Sequence, residues 1–151
     1  MRLTKRLQLS EMKSSIYAVI DTNVLVSALI SKRPDSFPLT VIEQVYTGLI
    51  VPVINDEILA EYEDVLHRDK FNLEAADINT ALITFIHYGL NVNRTPLPNV
   101  KIPDPKDRVF YEVKASCPDA YLITGNIRHF PTEPSVVTPR EMVNLLQLLP
   151  L

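Results

Sequence analysis

The sequence contains very little glycine. Gly48, Gly89 and Gly125 are its only glycines, and they lie far apart along 151 residues. Nucleotide-binding loops need several glycines within a few positions, because their backbone must approach the phosphates closely. The nucleophile elbow of many serine hydrolases needs a glycine on each side of its serine. Neither pattern is present, so both classes of enzyme are excluded.

Cysteine and long apolar segments are scarce as well. Cys117 is the only cysteine, so no intrachain disulfide can form and a disulfide-rich secreted scaffold is excluded. No apolar stretch approaches the roughly 18–20 residues that a membrane-spanning helix needs. The basic N-terminus lacks the apolar region of a signal peptide. We therefore expect a cytoplasmic protein without membrane association.

The composition indicates a folded domain of mild negative charge. Hydrophobic residues make up 46% of the chain and the formal net charge is −3. Such a charge argues against a protein that binds nucleic acid through its own basic surface alone. It is compatible with an enzyme in which divalent cations attract phosphate. The length fits one domain, and we expect a polar tail over residues 1–14 and a single domain over 15–151.

Short apolar segments alternate with helical patterns along the chain. Buried strands are predicted at 16–20, 49–53 and 121–123, and shorter ones near 90–93 and at 136–137. Helices are predicted at 24–30, 38–46, 55–67, 74–88, 104–115 and 142–148, the last opened by a capping box at 138–141. This alternation favours parallel pairing with helices on both faces. The predicted fold class is α/β, a three-layer α/β/α sandwich around a mainly parallel sheet of four to five strands.

Polar residues follow two of the predicted strands. Asp21 comes directly after the first strand, and Thr124 and Asn126 come after the strand at 121–123. In parallel sheets functional groups collect at the carboxyl ends of strands. An aspartate in this position often only caps the following helix. Asn23 adds a second polar group where an apolar helix start would be expected, which favours a functional crevice.

The helix predicted at 55–67 carries two acids beside its apolar arc. Glu61 borders one edge of the arc and Glu63 borders the other. Either can lean into the domain, or both can be solvated. Helical geometry alone does not choose between them.

A further pair of acids opens the helix predicted at 104–115. Asp104 is at the capping position, with Pro105 as the first helical residue, and Asp107 is one turn further. Both can simply complement the helix terminus. If one of them binds a metal, Asp107 is the better candidate, because capping already occupies Asp104.

Acids that converge from separate strand ends and helix starts are typical of a Mg²⁺ or Mn²⁺ site. These hard cations prefer oxygen ligands, and a bound cation can activate water for attack on a phosphodiester. The three histidines show no metal-ligand spacing. Basic residues flank the proposed crevice and can either contact phosphate or remain solvated: Lys32, Arg33, Lys106, Arg108, Arg128 and His129.

Together, in order, these segments resemble the PIN-domain family. The opening segment 16–30, with Asp21-Thr22-Asn23, resembles the family's first motif. The segment 58–66 is similar to the second motif, whose acid falls on Glu61 rather than Glu63. Residues 104–107 and 121–126 resemble the last two motifs, with Asp107 as the third acid and with Thr124 and Asn126 in the final motif. The match spans about residues 16–146.

The resemblance implies a Mg²⁺- or Mn²⁺-dependent endoribonuclease. Asp21, Glu61 and Asp107 would be its catalytic, metal-binding carboxylates. Asp104 and Asn126 would be further ligands, and Asn23 and Thr124 would support the site. The likeness is closest to VapC-like toxin components of toxin–antitoxin pairs, which implies an RNA substrate, an antitoxin protein and a homodimer.

One departure from the family pattern keeps an alternative open. Many members have an acid where this chain has Asn126, and a neutral amide is a weaker ligand for Mg²⁺. A PIN fold that binds RNA or protein without cutting is therefore the main alternative. A phosphoaspartyl enzyme with Asp21 as nucleophile is a second one, but its second acid would stand where the chain has Asn23.

Overall fold

A parallel sheet of five strands forms the centre of the molecule. The computed structural model describes residues 15–149, so the predicted tail at 1–14 lies outside the described residues. Neighbouring strands are all parallel, in the order β3-β2-β1-β4-β5. The strands within this range are β1 (Ile16–Ile20), β2 (Ile50–Ile54), β3 (Leu90–Asn91), β4 (Tyr121–Ile123) and β5 (Val136–Val137).

Six helices accompany the sheet within residues 15–149. They are α1 (Thr22–Ile30), α2 (Phe37–Thr47), α3 (Asp56–Leu66), α4 (Ala75–Tyr88), α5 (Arg108–Ala115) and α6 (Pro139–Gln147). Each one lies where a helix was predicted, although α5 is preceded by a 3₁₀ turn, Pro105–Asp107. Two further 3₁₀ turns, Asp69–Phe71 and Ile127–His129, were not predicted. None of these six helices is long and apolar enough to cross a membrane.

The central strand is buried on both of its faces. Ala18, Val19 and Ile20 are consecutive in β1 and fully buried. Successive side chains of a strand point to opposite faces, so both faces of the sheet must be covered. Helix α5 packs against β1 and β4, and α4 packs against β2. The predicted α/β/α sandwich is confirmed.

The chain reverses its direction across the sheet at β1. From β1 it passes through β2 to β3 on one side and then returns to β4 on the other. In such sheets a crevice opens beyond the carboxyl ends of the two strands at the reversal. Ile20 pairs with Ile123 at the ends of β1 and β4. Asp21 and Thr124 therefore leave these strands side by side.

A buried tyrosine connects α3 to the end of β1. Tyr62 is fully buried, and its hydroxyl donates a hydrogen bond to the carbonyl oxygen of Ile20. Its ring meets that of Phe85 edge to face, with 5.6 Å between ring centroids. Glu61 precedes Tyr62 and Asp21 follows Ile20 in sequence, so each acid is one residue away from an end of this bond.

A buried glutamate anchors the proline-rich loop that leads into α5. Glu112 accepts hydrogen bonds from the Arg94 guanidinium and, at 2.6 Å, from the backbone N–H of Leu97. Arg108 donates to the carbonyl oxygens of Leu97 and Val100, each at 2.8 Å. Burial alone would raise the pKa of Glu112, but these donors and the charges of Arg94 and Arg108 hold it below its ordinary value. The loop is therefore fixed by buried charge.

Removing the Tyr62 hydroxyl should weaken the fold without abolishing it. We expect Tyr62→Phe to lower the free energy of unfolding by about 1–2 kcal/mol, because a buried carbonyl loses its donor while the ring still packs. Urea denaturation measures the difference. Tyr46→Phe is the control, since Tyr46 is exposed and its hydroxyl bonds to nothing within residues 15–149. Equal stability of the two variants would contradict this role for the bond.

Glu112→Gln should destabilise the protein in a pH-dependent way. The folded-state pKa is depressed relative to 4.5, so the ionised carboxylate stabilises the fold above that pH. Its contribution is lost as pH falls through the folded-state pKa, because the protonated acid then resembles the amide. The gap in unfolding free energy between wild type and variant should be widest near neutral pH and should shrink in acid. Glu43→Gln, at an exposed position, should show no gap. A gap that stays constant into strong acid would refute this account.

Candidate functional site

A crevice of about 510 Å³ opens at the carboxyl ends of β1 and β4. Asp21, Glu61 and Asp107, the three acids predicted to be catalytic, all line it. Asp104 and Asn126 line it too. Glu63 does not and is exposed. The structure thus brings the predicted oxygen ligands into one place, while their binding of metal stays a prediction.

Asp21 is the most deeply buried acid of the crevice. Only 5% of the residue is exposed, and its side chain makes no capping bond to α1 although it stands at the helix start. Its Oδ2 instead accepts hydrogen bonds from Thr124 Oγ1 at 2.7 Å and from Asn23 Nδ2 at 3.2 Å. Burial raises the pKa of Asp21 to about 6, against the Thr124 hydrogen bond and with a contribution from the charge of Asp107. The capping alternative for Asp21 is wrong.

Asn23 and Thr124 join the two strand ends around Asp21. Besides its bond to Asp21, Asn23 accepts the backbone N–H of Gly125 at its Oδ1, at 3.2 Å. Thr124 is fully buried and accepts the backbone N–H of Asn126 at 3.0 Å. Both residues predicted to support the site therefore contact Asp21 directly. Their amide and hydroxyl groups hold one carboxylate oxygen in a fixed orientation.

Asp107 presents a carboxylate oxygen without a hydrogen-bond donor. Its Oδ2 is shielded from solvent and accepts no hydrogen bond from the described residues, and His129 Nδ1 lies 3.3 Å away. Burial and then the charge of Asp104 raise the pKa of Asp107, whereas His129 lowers it. Asp104 itself caps its turn, as predicted, by accepting the backbone N–H of Lys106 at 3.0 Å.

The side chains of the crevice fit a hard divalent cation. Their donor atoms are carboxylate and amide oxygens, which Mg²⁺ and Mn²⁺ prefer, and the shielded Asp107 Oδ2 has His129 Nδ1 at 3.3 Å but no well-formed hydrogen bond. Over residues 15–149, no three Asp, Glu, His or Cys side chains are close enough to hold one ion as a ready-made cluster. Mg²⁺ usually keeps several waters and takes only one or two carboxylates, so a tighter cluster is not required.

Four of the six basic residues named from the sequence as possible phosphate contacts lie outside the crevice lining. Lys32 and Arg33 are exposed, and Arg33 pairs with Asp35 at 3.4 Å. The guanidinium of Arg108 is occupied by the carbonyl oxygens of the proline-rich loop. Arg128 lines a neighbouring cavity instead. Phosphate contact by any of them remains a prediction that the lining of the crevice does not support.

Three basic side chains do line the crevice, namely Lys106 and His129, which were named from the sequence, and Arg68. Lys106 lies between the acids of the 104–107 segment, and Arg68 follows the end of α3 and pairs with Asp64 at 3.4 Å. Arg68 was not among the residues predicted from the sequence. Its position carries no helical signal, because α3 ends at Leu66 and Arg68 has extended backbone before a 3₁₀ turn that was not predicted.

Comparison with known protein families agrees with this geometry. A family model described as the PIN domain matches residues 17–128, a range that contains Asp21, Glu61 and Asp107. No curated protein and no solved structure gives a match to the chain. The family model spans well over half of the sequence and includes the crevice with the elements that build it. The chain therefore belongs to the PIN-domain family, whose members are in general nucleases.

Proposed function

We propose that this protein is a Mg²⁺- or Mn²⁺-dependent endoribonuclease that hydrolyses phosphodiester bonds of RNA. The observation that carries the proposal is the shared crevice, in which Asp21, Glu61 and Asp107 come from three separate segments of the chain. Burial first, and the charge of a neighbouring acid after it, raises the pKa of two of these acids, Asp21 and Asp107. Such perturbed groups in a cleft favour a catalytic site.

Each side chain of the crevice has a distinct task in this proposal. A bound divalent cation supplies Lewis acidity and an activated water for attack on phosphorus. Asp21, Glu61 and Asp107 would hold that cation directly or through its waters, and an adjacent positive charge would favour their ionised forms. Asn23 and Thr124 keep Asp21 in one orientation through their hydrogen bonds to its Oδ2. Lys106, and Arg68 with its partner Asp64 at 3.4 Å, place basic groups beside the acids, where substrate phosphate must approach.

The biological role belongs to the same proposal. The sequence motifs resemble the toxin branch of the family, which supports a toxin of a toxin–antitoxin pair, acting in the cytoplasm on RNA. An antitoxin protein would inhibit it, and a homodimer would be its working form. The asparagine at position 126 supports the alternative, a PIN-fold module that binds RNA or protein but no longer cuts. A phosphoaspartyl enzyme is disfavoured, because Asn23 supports Asp21 by a hydrogen bond where a second acid would be needed.

Replacing Asp21 by asparagine tests the nuclease proposal. We expect Asp21→Asn to remain folded and to lose at least about 100-fold in metal-dependent RNA cleavage, because a hard cation loses a charged ligand. Cleavage of a labelled RNA across a Mn²⁺ titration measures the effect. Cleavage at the wild-type rate by a clean preparation of the variant would rule out the mechanism, and a wild type inactive with either metal would favour the binding module.

A matched pair of variants on α3 serves as the control. Glu61 and Glu63 are two residues apart on the same helix, but only Glu61 lines the crevice. Glu61→Gln should therefore impair cleavage strongly, whereas Glu63→Gln removes the same charge from an exposed position and should leave the rate within about twofold. An equal loss in both would point to overall charge rather than to a ligand.

Asn126→Asp tests whether position 126 takes part in metal binding. An added carboxylate should strengthen Mn²⁺ binding. Without metal it should lower stability, because it adds repulsion to a crevice that already holds Asp21 and Asp107. Thermal midpoints with chelator and with excess Mn²⁺ should thus give a larger metal-induced shift for the variant than for wild type. Equal shifts would mean that Asn126 is only a turn residue after β4.

A further inference from the structure

A second cavity adjoins the acidic crevice. It has a volume of about 700 Å³ and lies between the loop at 98–103 and the segment 128–131. His129 lines both the crevice and this second space, so the two adjoin at that residue. We call the second space the basic cavity. Its volume falls within the roughly 300–1,000 Å³ typical of small-molecule sites.

The basic cavity is opposite in charge to the crevice beside it. Lys101, Arg108 and Arg128 line it and no acid does, whereas four acids line the crevice. The Arg108 guanidinium is already bound to loop carbonyl oxygens. Lys101 and Arg128 are exposed, and neither is paired with an acid within residues 15–149. The cavity therefore offers two uncompensated positive charges.

Apolar residues make up most of the rest of the lining of the basic cavity. Three prolines, Ile102 and Phe130 contribute to its lining, the prolines being Pro98, Pro103 and Pro131. The His129 side chain is 49% exposed at the boundary with the crevice. Bases of single strands stack on aromatic side chains, histidine included, and apolar walls suit their faces. The Glu112 network fixes the loop that carries this wall, so the cavity exists before any ligand binds.

We propose that the basic cavity binds the nucleotide next to the scissile phosphate of single-stranded RNA. Lys101 and Arg128 bind phosphate, and His129 stacks on a base at the boundary between the two spaces. A duplex is disfavoured, because its bases are already stacked and cannot reach these walls. This subsite rests on the proposed function, and it explains how a chain of net charge −3 attracts a polyanion beside four acids.

RNA binding in the absence of metal tests the subsite separately from cleavage. The probe is a fluorescein-labelled single-stranded oligoribonucleotide of mixed sequence, and its anisotropy is measured in chelator at several salt concentrations. The double variant Lys101→Ala/Arg128→Ala should bind about tenfold more weakly than wild type. The slope of log K against log salt should fall by about 1.4, because each phosphate contact on a single strand contributes about 0.7.

A second double variant controls for net charge. Lys70→Ala/Arg140→Ala removes the same two charges from exposed positions that line neither the crevice nor the basic cavity, and it should change affinity by less than about twofold. Equal losses in the two double variants, or wild-type affinity in the first, would overturn the proposal. So would a duplex competitor as effective as the single strand. Since no metal is present, these results are independent of whether Asp21→Asn abolishes cleavage.

Discussion

The hydrogen bond from Tyr62 to the carbonyl oxygen of Ile20 determines which acid of α3 belongs to the candidate site. A helix rotates by 100° per residue, so a shift of one position would carry Glu61 away from the crevice. The bond forms where β1 ends and the chain turns into α1, a point at which the strand ladder no longer satisfies this buried carbonyl. Helix α3 is held by one polar contact inside an apolar interface, and its rotation is therefore defined.

The same region shows how stability and function oppose each other. Asp21 is buried, close to Asp107, and held in place by neutral groups rather than by a cation of the protein. A carboxylate in such surroundings destabilises the folded chain when it ionises. The strand ends tolerate this cost because the core beneath them is extensive and continuous from β1 to the surrounding helices. A bound cation would offset the cost of ionising these buried and neighbouring acids, so the crevice favours cation binding.

Much of the fold was predictable because local signals agreed with one another. The apolar run at 16–20 became β1 with unchanged ends, and Asn55 caps α3 through the backbone N–H of Ile58. The capping box between Thr138 and Glu141 opens α6 as predicted. Each of these signals depends on residues within one turn or one strand, and such signals can be recognised in a sequence.

The parts of the site that were not predictable depend on contacts between distant segments. The choice of Glu61 over Glu63 needed the family resemblance, since both border the apolar arc of α3 equally well. Arg108 looked available for phosphate, but it is occupied by carbonyl oxygens of a loop about ten residues earlier in the chain. The residues next to Arg94 in the sequence do not indicate that it pairs with Glu112. Side-chain networks of this kind produce no regular spacing of residues in the sequence, so they cannot be predicted from it as helices and strands can.

The bond from Thr124 to Asp21 also has a consequence for the order in which the protein is made. These residues are 103 positions apart in the chain, and contacts of such separation are slow to form because a long loop must close first. During synthesis β1 is made long before β4, so the crevice at first lacks the strand end that carries Thr124. A nascent chain, or one whose β4 has locally unfolded, lacks the support that orients Asp21. The orientation of the Asp21 carboxylate is therefore completed only when β4 has joined the sheet.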